Sequence, residues 1–128
     1  MQLVVTEKPS VAQAISHVIG AKERKDGYME GNGFLVSWCV GHLVELAQPE
    51  MYSEAWKKWS YESLPMIPEQ WQHEVKKETA TQYKILKNLM HDTRVESVVC
   101  ATDAGREGEL IFRLVYEQAG CRKPMKRL

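Results

Sequence analysis

The sequence has few cysteines, no long hydrophobic run and no excess of one charge. The three cysteines, Cys39, Cys100 and Cys121, form no C-x-x-C pair, so a disulfide framework and a zinc site are poorly supported. No stretch approaches the roughly 18 apolar residues of a membrane span, and the first residues lack the basic start of a signal peptide. These absences predict a cytoplasmic protein with no membrane partner.

Several signature motifs are also missing. No G-x-G-x-x-G, G-x-x-x-x-G-K-[ST] or G-x-S-x-G occurs, so dinucleotide binding, Walker-type nucleotide binding and a hydrolase triad have no support. Lys plus Arg and Asp plus Glu both number 17, which excludes a uniformly basic nucleic-acid coat but allows a local basic patch. The 128 residues contain no repeat and no Gly/Ser linker, and they suit a single domain spanning residues 1–128.

The first part of the sequence predicts a strand, a turn and a helix. Leu3-Val4-Val5 is typical of a strand buried on both faces. A helix follows at once, with Pro9 in its first turn, Ser10 and Gln13 as a capping box, and Gly20 at its end. Its inward face is predicted to hold Val11, Ala12, Ile15, Val18 and Ile19.

The last part repeats this order. Residues 95–101 predict a second buried strand, 102–105 a turn and 106–119 a helix. The inward residues of that helix are predicted to be Leu110, Ile111, Leu114 and Val115. Strand, turn and helix at both ends predict an α/β fold with a mainly parallel sheet flanked by helices. Ligands of such sheets bind beyond the carboxyl ends of the strands.

The middle of the sequence is less regular. Residues 28–40 predict a β-hairpin with a glycine-rich turn at Gly31-Asn32-Gly33, and residues 41–46 a turn or short helix. Residues 48–72 predict a packed loop with a short helix near 53–59, and 79–91 a longer helix. The aromatic residues of the loop suit either stacking on nucleic-acid bases or, as we prefer, a satellite hydrophobic cluster.

Charged clusters follow both predicted strands. Glu7, Asp103 and Glu107 would bring carboxylates to one edge of the sheet, and such oxygen ligands suit Mg²⁺. Lys8 and Arg106 lie among them and can each hold a phosphate oxygen. Acids, metal and base together point to phosphoryl transfer.

A purely structural interpretation stays open for each of these residues. Acids in the first turn of a helix stabilise its dipole without any further function. Glu109 and Arg113 are spaced as an i,i+4 pair on a solvated face. His42 follows a strand end, where it would either line the site or serve in packing or a local hydrogen bond.

Three motifs together resemble the Toprim domain of type IA DNA topoisomerases, and are most similar to its bacterial topoisomerase III branch. They are Glu7-Lys8-Pro9-Ser10, the G-H-L-V-E-L segment of residues 41–46, and the A-T-D-A-G-R-E-G-E segment of residues 101–109. The resemblance runs through the whole sequence, in order, and implies a Rossmann-like domain with a β-hairpin insertion.

The resemblance also implies residue roles. Glu7 matches a glutamate that binds metal and transfers a proton to the leaving 3′ oxygen, and Lys8 matches a lysine that steadies the scissile phosphate. Asp103 and Glu107 match the first and last acids of a D-x-D-x-E motif that binds Mg²⁺. Arg106 matches an arginine that contacts phosphate or braces the acids. His42 is a candidate contact to DNA.

Two departures from the family pattern affect these expectations. Gly105 replaces the middle acid of D-x-D-x-E, so we expect fewer protein ligands to the metal. None of the five tyrosines lies in a context like that of the family's nucleophile. We therefore expect an N-terminal fragment, inactive alone, that acts with the remaining domains of its polypeptide on a single-stranded DNA segment without ATP. A free-standing metal-dependent nuclease and a non-catalytic metal- or nucleic-acid-binding module are the alternatives.

Overall fold

The computed structural model describes residues 1–58 and 60–128. The strands of this part are β1 (Gln2–Thr6), β2 (Glu23–Lys25), β3 (Tyr28–Gly31), β4 (Phe34–Trp38), β5 (Val44–Leu46), β6 (His73–Val75), β7 (Ser97–Ala101) and β8 (Met125–Arg127). The α-helices are α1 (Pro9–Ile19), α2 (Pro49–Tyr52), α3 (Ala80–Met90) and α4 (Arg106–Gln118). Short 3₁₀ turns lie at Glu54–Trp56 and Lys77–Thr79.

The main sheet has six strands in the spatial order β2-β3-β4-β1-β7-β8. β1 lies at its centre and runs parallel to both β4 and β7, and β8 runs parallel to β7. β2 and β3 extend the sheet as an antiparallel hairpin beside β4. The predicted α/β class, with a mostly parallel central sheet and a hairpin insertion, is confirmed.

Hydrophobic side chains cover both faces of the central strand. Leu3 and Val5 are fully buried in the larger core, which includes residues of α3 and α4. Val4 points to the other face and packs in a smaller core with Ala12 of α1. Successive side chains of a strand point to opposite faces. An uninterrupted apolar run is therefore what a strand with helices on both sides requires.

Helix α1 has the predicted bounds but a different start and inner face. Lys8 is its N-cap and no side chain caps it, so the predicted capping box of Ser10 and Gln13 is wrong. Gly20 ends the helix with a positive φ of 83°. Val18 is 83% exposed, contrary to the prediction, and Ser16 is buried instead. Ala12 and Ser16 are small and one turn apart, which brings the helix close to the sheet.

The hairpin prediction is confirmed in detail. β3 and β4 pair antiparallel with Gly31 opposite Phe34, which leaves Asn32 and Gly33 as a two-residue loop. Asn32 has a φ of 50° and Gly33 a φ of 82°. Positive φ at both positions is typical of the type I′ turn that suits twisted hairpins.

The segment after the hairpin differs from its prediction. The predicted turn or short helix at residues 41–46 is a bend followed by β5, which pairs antiparallel with β6 in a separate two-stranded sheet. The short helix predicted near 53–59 is α2 at Pro49–Tyr52 and one 3₁₀ turn, and Trp59 lies outside the described residues.

The last strand and helix match their predictions closely. β7 begins at Ser97, and Val95 is buried just before it. In α4 the buried side chains include Phe112 and Val115, whereas Leu110 is 48% exposed and was wrongly predicted to face inward. Of the described helices, none has the length and apolar character that crossing a membrane requires.

Candidate functional site

The carboxyl ends of β1, β4, β7 and β8 lie at one edge of the main sheet, because these strands are parallel. A cleft of about 410 Å³ opens at this edge. Its walls come from the segments that follow three of the strands and from the start of α4. The lining residues are Glu7, Gly41, His42, Asp103, Gly105, Glu107, Gly108 and Ile111.

The three predicted acids all line this cleft. Glu7 follows β1 and its side chain is half-buried. Asp103 follows β7 and Glu107 lies in the first turn of α4, and these two residues are exposed. In the part of the chain that the structure describes, no three His, Cys, Asp or Glu side chains converge closely enough to hold a metal by themselves. Carboxylates are nevertheless the ligand type that suits Mg²⁺, which takes few protein ligands and keeps several waters.

His42 contacts one of these acids directly. Its Nε2 lies 3.2 Å from Oε1 of Glu107, and the two side chains are 33% and 78% exposed. The contact joins the segment between β4 and β5 to the first turn of α4. The structure supports the interpretation that His42 lines the cleft, whereas its hydrogen bond is not the predicted local one, because Glu107 lies 65 residues further along the chain.

Lys8 and Arg106 lie at the starts of helices. Lys8 is the N-cap of α1, and Arg106 is the first residue of α4. Both side chains are exposed, and neither belongs to the cleft wall as the described residues form it. The structure therefore places these cations next to Glu7 and Glu107 in the sequence but outside the residues that line the cleft.

Gly108 brings the backbone of the Asp103 turn, defined here as residues 102–105, against helix α4. A Cβ atom at Gly108 would lie 2.3 Å from the carbonyl oxygen of Asp103, far inside van der Waals contact. Gly108 therefore allows two segments of the chain's own backbone to approach each other closely. It fixes the spacing between the strand end that carries Asp103 and the helix that carries Glu107.

Comparison with known proteins identifies the family. A sequence profile described as the Toprim domain matches residues 2–128. The chain belongs to the Toprim domain family. It is 47% identical over 125 residues to "DNA topoisomerase 3" of Shouchella clausii (strain KSM-K16), covering 98% of this chain and 17% of that protein.

Two staphylococcal relatives match over nearly the same length. "DNA topoisomerase 3" of Staphylococcus haemolyticus (strain JCSC1435) is 46% identical over 126 residues, and that of Staphylococcus epidermidis (strain ATCC 12228 / FDA PCI 1200) is 44% identical over 126 residues. Each match covers 98% of this chain and 18% of the relative. The Toprim chain thus spans less than a fifth of the length of these relatives.

Gly105, which stands where the resemblance implies an acid, occupies an open position in this Toprim chain. It is the N-cap of α4, with φ −73° and ψ 169°, a conformation open to any residue. A Cβ atom there would meet no heavy atom within 4 Å. Neither backbone strain nor crowding therefore requires glycine at this position, and a side chain would extend into free space beside the cleft.

Sequence reasoning missed Arg127. Its guanidinium reaches from β8 to the end of β7 and donates a hydrogen bond to the carbonyl oxygen of Asp103 at 2.6 Å. The predicted pair of Glu109 and Arg113 is present at 3.0 Å, and Glu109 also lies 3.5 Å from Arg127. No local signal marks Arg127, because its contacts depend on the pairing of β8 with β7.

A buried thiol lies behind Glu7. Cys39 follows β4, and its backbone N–H donates to the carbonyl oxygen of Thr6 at 2.9 Å. Burial, and to a smaller extent the nearby Cys100 and Glu7, raise the pKa of the Cys39 thiol to about 12. The thiol is therefore protonated at neutral pH, which makes Cys39 a packing residue and not a nucleophile.

Proposed function

We propose that this Toprim chain forms the acid, lysine and metal half of the active site of a Mg²⁺-dependent type IA DNA topoisomerase. It would be the N-terminal part, residues 1–128, of a longer polypeptide whose other domains complete the site. The observation that carries the proposal is the meeting of Glu7, Asp103 and Glu107 at one cleft. The similarity of 98% of the chain to proteins named DNA topoisomerase 3 supports it.

In this proposal Glu7, Asp103 and Glu107 would hold Mg²⁺, with water or DNA oxygens as the other ligands. Bound there, the ion would offset the negative charge of a scissile phosphodiester. The set is one carboxylate short of the D-x-D-x-E pattern because Gly105 has no side chain. One metal ion is therefore the expected number.

Lys8 and Arg106 are proposed to bind the phosphate. Both stand at helix starts, where free backbone N–H groups and the helix dipole favour an anion. Lys8 would hold a non-bridging oxygen of the scissile phosphate, and Arg106 would contact phosphate or brace the acids. His42, held by Glu107, would contact the single-stranded DNA segment near the cleft.

Glu7 is proposed as the proton donor of the reaction. A tyrosine hydroxyl from another domain would attack the phosphorus and lose its proton to solvent, while the bond to the 3′ oxygen breaks and that oxygen takes a proton from Glu7 in its protonated form. Glu7 would bind Mg²⁺ as the carboxylate that this transfer leaves. One phosphodiester replaces another, so no ATP is needed. Among the described residues, no tyrosine lines the cleft; the five are Tyr28, Tyr52, Tyr61, Tyr83 and Tyr116.

The three cysteines are free and buried. Such thiols are typical of a reducing compartment, which supports the cytoplasm as the location of the parent protein.

A domain exchange tests the proposed function. The matching segment of the Shouchella clausii relative would be replaced by this chain, and relaxation of supercoiled plasmid would be measured with Mg²⁺ and without ATP. We expect relaxation by the chimera, its loss in Glu7→Gln, and its retention in Glu117→Gln, which changes an exposed acid of α4 away from the cleft. The isolated chain should relax nothing.

Other outcomes would favour the alternatives. Metal-dependent cuts with free ends, made by the isolated chain, would indicate a nuclease in which the same acids activate water. A chimera that binds DNA but never cleaves it would indicate a binding module. The observation that favours the module is the acid set shortened at Gly105.

A further inference from the structure

Arg127 lies on β8, the edge strand of the main sheet that pairs with β7. β8 pairs with β7 in parallel, with Arg127 opposite Cys100, two residues before the Asp103 turn begins. The guanidinium therefore reaches the carboxyl end of β7 from the neighbouring strand. It is only 32% exposed, although it belongs to an edge strand of the sheet.

The guanidinium makes several hydrogen bonds to the end of β7 and the turn. Nη1 donates to Sγ of Cys100 at 2.8 Å and to Oγ1 of Thr102 at 3.0 Å. Nη2 donates to the carbonyl oxygen of Asp103 at 2.6 Å. Arginine presents its N–H donors in a rigid planar fork, so bonds to two successive residues fix the path of the backbone between them.

The Asp103 carbonyl is enclosed from two sides. On one side it accepts the bond from Arg127. On the other side Gly108 of α4 packs so closely that a Cβ atom there would come within 2.3 Å of the same oxygen. The peptide that carries Asp103 thus lies between a guanidinium and the backbone of a helix.

Helix α4 also holds the guanidinium itself. Oε2 of Glu109 lies 3.5 Å from Nη1 of Arg127, while Oε1 accepts a bond from Nε of Arg113 at 3.0 Å. Arg113 lies on the exposed surface of α4, and it binds the carboxylate of Glu109 that Arg127 also contacts. The two arginines therefore share Glu109, but of the two only Arg127 bonds to the Asp103 turn in the described residues.

We propose that Arg127 is a positioning residue, which together with Glu109 holds the Asp103 turn so that the carboxylate of Asp103 faces the cleft. The part of this inference that concerns Mg²⁺ rests on the proposed function. The part that concerns the order of the turn does not, since it depends only on the hydrogen bonds of Arg127.

The experiment compares Arg127→Gln with the matched variant Arg113→Gln, which also removes one cation from Glu109. Backbone ¹⁵N order parameters of residues 102–105 are measured in both variants and in the unchanged chain, without metal. We expect values near those of rigid backbone, about 0.85, in the unchanged chain and in Arg113→Gln. In Arg127→Gln they should fall toward about 0.6, while the sheet keeps its values.

A Mg²⁺ titration of the same samples gives the second measurement. Loss of a residue that supports a metal ligand typically weakens metal binding about 10-fold or more, and we expect this for Arg127→Gln alone. Arg127→Lys keeps the charge but not the fork, so it should restore affinity only in part.

The outcomes separate this inference from the proposed function. Equal order parameters of the turn in the two variants would overturn the positioning role, whatever the metal does. If the unchanged chain binds Mg²⁺, the same affinity in Arg127→Gln would overturn the claim that Arg127 positions the carboxylate of Asp103. If the unchanged chain binds no Mg²⁺, the metal part of the proposed function fails, and the order of the turn alone decides the role of Arg127. If Arg127→Gln weakened the binding of single-stranded DNA while the Asp103 turn stayed ordered, Arg127 would contact the DNA phosphate directly instead of positioning the turn.

Discussion

The two strand-to-helix junctions of this Toprim chain carry acids to the same cleft, but they are held in different ways. At the β1–α1 junction Thr6 is fully buried, and its hydroxyl donates to the carbonyl oxygen of Lys8, two residues further on, at 3.0 Å. At the β7–α4 junction the hydroxyl of Thr102 accepts a bond from Arg127, 25 residues away. The first junction therefore has a local side-chain bond as well as a backbone bond from Cys39, whereas the second is bonded by Arg127 of another strand.

This difference indicates which substitutions would displace each acid. Glu7 lies between Thr6 and Lys8, so its backbone is spanned by a bond that the chain makes as soon as the strand ends. The Asp103 turn is held by Gly108 and by Arg127, neither of which belongs to the turn. Substitutions outside the turn should therefore disturb Asp103 and leave Glu7 in place.

The largest effect is expected from Gly108→Ala. The new methyl group would meet the backbone of Asp103 at 2.3 Å, and backbone cannot move away as a flexible side chain can. Overpacking of this kind costs about 1–3 kcal/mol of the free energy of unfolding, partly offset by the better helix propensity of alanine. Urea unfolding would measure the loss.

Gly105→Ala is the matched control for this prediction. It also adds one methyl group near the start of α4, but into open space. Its free energy of unfolding should change by no more than about 0.5 kcal/mol. Equal losses in the two variants would contradict the close packing of Gly108 on the Asp103 turn.

A smaller effect should appear in a pair of double-mutant cycles. Thr102→Val and Arg127→Gln remove two ends of one hydrogen bond, so their effects on the free energy of unfolding should couple by about 1 kcal/mol. Thr6→Val and Arg127→Gln share no partner and should add within about 0.5 kcal/mol. Coupling of similar size in both cycles would show that the two junctions are not held independently.

Gly105→Asp sharpens the comparison at the cleft itself. The conformation of Gly105 accepts a side chain, and aspartate is a good N-cap, so the helix should tolerate the change. One added charge near a bound cation should tighten Mg²⁺ binding at least about fivefold, since a pair of unit charges near 4 Å is worth about 1 kcal/mol even in water and Mg²⁺ carries two charges. Isothermal titration would measure it, with Gly105→Asn as the uncharged control. Unchanged affinity would count against the proposed metal position.

The same contrast explains how far the sequence could predict this molecule. The buried run at Leu3, the glycine-rich hairpin turn at Asn32 and the helix stop at Gly20 are local signals, and the structure confirms each of them. The meeting of Glu7 and Asp103 at one cleft was also predictable, because parallel strands end at the same edge of a sheet.

The features that escaped prediction depend on partners far away in the sequence. β5 is a strand because it pairs with β6, 29 residues later, and its three residues carry no strand signal of their own. Val18 has a helical spacing that suits burial but is 83% exposed, and Ser16 is buried instead. Arg127 lies in a basic segment that looks like ordinary surface until β8 pairs with β7.

The last prediction concerns Cys39, whose backbone N–H bonds to Thr6 at the first junction. The ionisation of its thiol affects stability only at high pH. The folded-state pKa of its thiol is about 12, above the ordinary value of 9.0, because the thiol is buried. Between these values the folded chain binds more protons than the unfolded chain, so the stability that this group contributes is complete below pH 9 and falls as the pH rises toward 12. Cys39→Ala should therefore flatten the decline of the free energy of unfolding above pH 9, by up to about 1.4 kcal/mol per pH unit.

Urea unfolding at pH 7, 9 and 10 would measure the slope, with Cys121→Ala, a buried thiol away from both junctions, as the control. Identical slopes in the two variants would mean that Cys39 ionises as freely in the folded chain as in the unfolded one, and that the wall behind Glu7 is open to water.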